Sequence, residues 1–203
     1  MNRRGLYNLL TTGDELNGLT ASELAALKLP SIPAAIADYV SAAEYVAGPV
    51  SQVKLTFASL PITITDEAGV VAYGGRQILD FPAGVVAFQG ALANLTVVKS
   101  GAGINATFDG DFGVGTVTAS NNATLSATEQ NIIPTTATPQ AVAGATTAKG
   151  FSTATERDTT IDGTSAAVDA FLNFLIDDAD QDGGGSLLVS GTLLIQFSHL
   201  GDY

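Results

Sequence analysis

From Val50 onward, apolar side chains recur at every second residue. In "VKLTFASLPITITD" the alternation runs through Leu55 and Phe57 and resumes at Ile62 and Ile64, with Thr frequent between them. A period of two is the repeat of a pleated strand with one buried face, and β-branched Thr suits such a surface. The pattern returns in "VVAYGGRQILDF" and in "GVVAFQGALANLTVVKS", which reads as a strand pair around Gly90. "INATFDGDFGVGTVTAS" alternates through Phe108, Phe112, Val114 and Val117. Toward the C-terminus come "AAVDAFLNFLIDD" and "SLLVSGTLLIQFSHLGDY", whose alternation is imperfect. The Gly run between them and the flanking β pattern favour strands. "NNATLSATEQNIIPTTATPQAVAGATTAKG" reads as a long polar excursion with one short strand around residues 132–133. About eight short strands joined by turns and two long loops predict a mainly β protein, a jelly-roll-like β-sandwich over residues 49–203.

Residues 1–48 differ and are expected to form an N-terminal arm of short helices. Thr20 and Glu23 have the spacing of a reciprocal capping box, and Pro30 and Pro33 stop that helix. "AAIADYVSAAEYV" then places Ile36, Tyr39, Val40, Ala43 and Val46 along one stripe at helical spacing, ended by Gly48-Pro49. The stripe reads as a packing face.

Length and composition narrow the function. A chain of 203 residues fits one ordinary domain. Hydrophobic residues make up 46% and charged residues 14%, so much of the surface is Thr, Ser, Asn, Gly and Ala. That balance suits a β protein packed against other subunits. No apolar run reaches the length of about 18 residues that marks a membrane helix, so no membrane partner is expected. "MNRRGLYNLL" carries positive charge, but "TTGDELNG" cuts its apolar run short and no secretion signal is expected. Without cysteine there is no disulfide and no thiol catalysis. The net charge is −12, and the one adjacent basic pair is Arg3-Arg4, so no nucleic-acid partner is expected.

Few residues suggest site chemistry. The sole histidine, His199, lacks an evident nucleophile partner and reads as structural. Asp109 with Asp111, and Asp177 with Asp178, are carboxylate pairs of the kind that flank a glycosidic bond. Glycan sites usually add aromatic platforms, and this chain has no Trp. "FDGDFG" and "GVGT" lack the lysine of a phosphate site, and the glycines of "FDGDFG" read as a tight turn. Asn94, Asn105 and Asn122 match the glycosylation triplet, as expected by chance in so Thr-rich a chain. The strongest ion signal is "DDADQDGGG", where Asp178, Asp180, Asp182 and Gly183 have the spacing that opens a calcium loop. The twelfth position falls on Val189, which cannot ligate, so only half a site is present. A ligand borrowed from elsewhere would complete a calcium site. The preferred reading is a solvated turn whose charges discourage edge pairing, with no cofactor.

Three segments, "LPITITDEAGVVAYGG", "TEQNIIPTTATPQAVAGATTAKG" and "LNFLIDDAD", resemble a group of virion structural proteins from tailed bacteriophages. The resemblance spans residues 60–203 and less of the arm, and carries no catalytic residues. It implies a capsid decoration (cement) protein that is not an enzyme. Such a protein would form a homotrimer, bind the major capsid protein and sit on the capsid exterior of the virion. A tail, tube or fibre subunit is the alternative, and a carbohydrate-binding module a more distant one.

Overall fold

The structure, a computed structural model, describes residues 30–47, 50–66, 71–157, 159–166 and 168–201. Among these residues, ten strands form two antiparallel sheets: β1 (Val40–Ala47), β2 (Val50–Ile64), β3 (Val71–Asp80), β4 (Gly84–Ser100), β5 (Gly110–Gly115), β6 (Ile133–Thr138), β7 (Ala145–Phe151), β8 (Thr160–Gly163), β9 (Asp169–Asp177) and β10 (Gly185–Gly201). The larger sheet runs β1-β2-β10-β4-β7, with β8 added to β4, and the smaller runs β3-β9-β5-β6. The chain is therefore mainly β, in the two-layer arrangement of a β-sandwich. The helix expected from Thr20 lies outside the described residues.

Alternation dictates the packing. On β2, Val53, Leu55, Phe57, Leu60, Ile62 and Ile64 are buried while Lys54, Thr56 and Thr63 are exposed. The parity changes once, at Ser59, whose positive φ of 57° marks an irregularity; its N–H donates to the Ser190 hydroxyl at 2.9 Å. The inner faces of both sheets meet in one apolar core that includes Phe88, Leu95, Phe112, Ile176 and Ile195. At one end Phe81 stands edge-on to both Phe88 and Phe197, with ring centroids 5.3 Å apart in each pair. Such pairing adds to the burial of the rings themselves.

Several expectations are corrected. Residues 34–46 are not one helix: a 3-10 turn covers Ala34–Ile36, and Val40–Ala47 is a strand paired with β2 from Val40↔Phe57 to Ala47↔Val50. The β unit therefore begins before residue 49, and the compact body starts at Ser31. The segment 84–100 is one continuous strand, not a pair; Gly90 marks a register shift against β10 at Gln196/Phe197. The polar excursion holds two strands, β6 and β7. Residues 110–115, whose glycines suggested a turn, are strand β5.

The rest of that excursion covers the outer side of the smaller sheet. Asn173, fully buried on β9, sits level with Gly75 of β3 and Gly113 of β5. Its side-chain oxygen accepts the Ala119 N–H at 2.8 Å, and its amide donates to the carbonyls of Val117 (2.9 Å) and Glu129 (2.8 Å). The flanking glycines make room. A Cβ on Gly75 would stand 2.3 Å from the Asn173 oxygen, and one on Gly113 2.8 Å from a Leu125 methyl. Buried Glu129 ties the loop internally, accepting the Ser120 hydroxyl and the Ser126 N–H, each at 2.6 Å. Ala119, Leu125 and Leu175 close a small second core there.

Candidate functional site

Two regions could carry function: an acidic end of the sandwich and an open sheet face. At the acidic end β9 finishes in Asp177 and the run 178–184 leads into β10. Asp178–Asp180 form a 3-10 turn. The Asp180 carboxylate accepts the Asp109 N–H at 3.2 Å and the Asn105 amide at 3.3 Å, while the Asp180 carbonyl accepts the Asn105 N–H at 2.9 Å. The Asp182 N–H donates to the Gly103 carbonyl at 2.8 Å, and the Gly183 N–H to the Asp66 carboxylate at 2.9 Å. Gln181 is buried between them. In the amide orientation that satisfies both its groups it donates to Gly103 and accepts from Gly184.

The three aspartates of the calcium-like spacing thus take different positions. Asp180 is half-buried and holds the 105–109 segment; Asp178 and Asp182 are exposed. The run acts as a joint between distant segments. Among the described residues, no group of three or more His, Cys, Asp or Glu is placed to hold a metal ion.

The fold does bring together the carboxylate pairs singled out in the sequence. The Asp177 N–H donates to the Asp109 carbonyl at 3.4 Å, and Asp111 lies opposite Leu175, two residues before Asp177. Burial raises the Asp109 carboxyl above the ordinary aspartate range; the Asp177 and Asp180 charges and a hydrogen bond shared with Asp180 add to this. Asp111 is raised by burial, then by Asp177 and Asp109. Chemically, this is a proton-retaining group. A second arises at the other end of β9, where Asp169 faces Asp80 in register and is raised by burial and by that neighbour.

The open face lies on the outer side of the larger sheet. Cross-strand rows there run Phe151–Leu92–Leu194–Lys54, Lys149–Asn94–Thr192–Thr56–Ser41 and Ala145–Val98–Leu188–Pro61. Phe151 is 64% exposed and Leu92 54% exposed, although they are direct cross-strand partners. Strands β2, β4, β7 and β10 contain no Asp or Glu at any position. The one carboxylate of β1, Glu44, lies opposite buried Val53 and therefore on the inner side. Sequence reading missed this face because no single segment reveals it.

His199, read as structural from the sequence, lies on β10. Its Nε2–H donates to the Ala83 carbonyl at 2.7 Å, tying β10 to the turn before β4. No helix among the described residues is long and apolar enough to cross a membrane. No protein-family model matches the chain, and no curated protein matches it.

Proposed function

We propose that this chain is a virion structural protein of a tailed bacteriophage, a decoration or cement protein bound as a homotrimer to the major capsid protein on the shell exterior. The observation that carries the proposal is the asymmetry of the two outer faces. The smaller sheet is covered by the chain's own 116–131 loop, anchored on Asn173. The larger sheet leaves a broad face uncovered by that loop, with Leu92 on β4 and Phe151 at the end of the edge strand β7 exposed. Short, low-entropy side chains such as Thr and Ala lose little freedom on docking.

The strand order supports the same reading. β2-β10-β4-β7 against β3-β9-β5-β6, with β1 and β8 added at the margins, is an order that supports a jelly-roll reading. Viral capsid domains and lectins share that architecture, so it is an analogy of fold and leaves the role to the face. The three segments that resemble phage virion proteins point the same way.

A cement protein binds the assembled shell and not its free subunits, so it stabilises the shell by mass action. Trimeric symmetry would repeat each weak contact, and avidity would multiply them. The test is removal and add-back. Particles stripped of this protein should open at a lower temperature than intact ones, and purified protein should restore the difference. Finding the protein only in the tail, or stripped shells equally robust, would overturn the proposal.

A further inference from the structure

We infer that the open face of the larger sheet docks on an acidic protein surface, with Leu92 and Phe151 as its apolar anchor. The inference rests on the proposed shell-binding role and adds the docking surface and the chemistry of the partner. Its basis is where charge stands in this molecule. The whole chain carries −12, from 20 acidic and 8 basic residues. Its four strands β2, β10, β4 and β7, adjacent in one sheet, nevertheless hold no carboxylate. Two lysines, Lys54 and Lys149, stand exposed on their outer side.

Most of the described acidic groups lie away from the rows that carry Lys54 and Lys149. Asp109, Asp111, Asp177 and Asp180 gather at one end of the sandwich, and Asp80 with Asp169 lies in the other sheet. Asp162 on β8 marks the rim, and beyond β7 Arg157 over Gly90 is offset by its neighbour Glu156. Approach by the end that carries Asp109, Asp111, Asp177 and Asp180 presents carboxylates to the partner. The lysine-bearing face is the one from which an acidic partner is attracted, and a patch of this sign steers docking and fixes its orientation.

The anchor follows from burial. Leu92 and Phe151 are direct cross-strand partners on β4 and β7, in the row that also holds Leu194 and Lys54. Covering both removes apolar surface from water, and each such side chain is worth about tenfold or more in affinity. A second copy meeting the same face would set lysines against lysines. Charge therefore favours an acidic shell over self-pairing through this face.

The experiment measures rebinding of the full chain to shells stripped of it. Two double variants are compared with the unaltered chain, Leu92→Ser with Phe151→Ser and Lys54→Glu with Lys149→Glu. All four positions are exposed, so β circular dichroism should be unchanged. The apolar pair should weaken rebinding at least tenfold, and the charge pair should weaken it most at low salt. If the unaltered chain does not rebind, the shell-binding role and this inference both fall. If it rebinds and the apolar variant rebinds equally well, the role stands and the face is wrong. If the charge variant binds as well or better, the partner is not acidic. If sedimentation shows that the variants dissolve a homo-oligomer while shell binding persists, a second copy occupies the face and the inference fails.

Discussion

Replacing Asn173 by alanine removes three hydrogen bonds from a fully buried position, leaving the Ala119 N–H and the Val117 and Glu129 carbonyls without that partner. Unsatisfied buried polar groups cost about 1–3 kcal/mol each and do not add fully, so the expected loss is about 2–4 kcal/mol, readable in urea unfolding. Asp109 behaves oppositely. Its carboxyl is raised in the folded protein, as are those of Asp111, Asp169 and half-buried Glu44. A raised folded value means the native state holds more protons, so stability grows as pH falls. The gain is complete below the unfolded value, near 3.8 for Asp109, and is lost as pH rises through the raised folded value. Asp162, held down by the Thr164 hydroxyl and N–H, contributes in the other direction. The melting temperature should therefore rise on acidification from neutrality, and Asp109→Asn should flatten part of that rise. Acidification also relieves general repulsion in a chain of −12, so the difference between variant and unaltered protein is the quantity to measure. For the Asp run, millimolar calcium should leave the melting temperature unchanged, since the Asp180 carboxylate already holds the Asp109 N–H and the Asn105 amide. A calcium-dependent rise that disappears when Asp178, Asp180 and Asp182 are all changed to Asn would show that the run binds the ion. The spacing of these aspartates was legible as a polar turn. That Asp180 serves residues 105 and 109 was not, because nothing local encodes a contact across so long a stretch of chain.

Alternation made β2 legible through its large inward Leu, Ile, Val and Phe, whereas β9 and β10 alternate imperfectly and were read as strands from the Gly run between them and the flanking β pattern. β7 was hidden for a physical reason. Its inward residues are Thr146, Ala148 and Gly150, and Phe112 fills the space where Gly150 has no side chain, its ring 2.8 Å from where a Cβ would stand. A strand that packs small residues against a neighbour's aromatic ring shows no hydrophobic alternation of its own. β1 misled differently. Ile36, Tyr39, Val40, Ala43 and Val46 fit a helical stripe, yet pairing with the long strand β2 overrides that local preference. The consequence is testable by truncation. A chain beginning at Ser31 retains the whole compact β unit and should keep its β circular dichroism. One beginning at Val50 loses β1 together with buried Ile36 and Val40, and bares the Val50–Phe57 edge of β2. Bare edges of that length invite pairing between molecules, so this shorter chain should melt lower and aggregate in a concentration-dependent way. Equal stability of the two chains would show that β1 contributes nothing to the sandwich.

Among the described residues, four adjacent strands of the larger sheet carry no carboxylate, and this is where linear reading loses most. The residues of the open face come from four stretches between Val50 and Gly201, none unusual alone; only the strand order sets their carboxylate-free sequences side by side. A charge of −12 keeps free copies apart in solution, while the same repulsion acts on any acidic partner that approaches the wrong side. Orientation on a shell is then decided by electrostatics before close contact, and the apolar row completes the fit. This predicts a footprint that needs no mutation. Lys54 and Lys149 are exposed, whereas the Lys99 ammonium is held by the Ile104 carbonyl. Brief acylation of the free protein should label Lys54 and Lys149 readily and Lys99 less. On intact particles Lys54 and Lys149 should lose most of their labelling, while carboxylate-directed labelling of exposed Asp178 and Asp182 should persist. Raising the salt concentration should release the protein and restore lysine labelling, because screening shortens the reach of exposed charges to about 3 Å at 1 M. Protection at the aspartates with the lysines still reactive would mean that the acidic end, and not the open sheet, meets the shell.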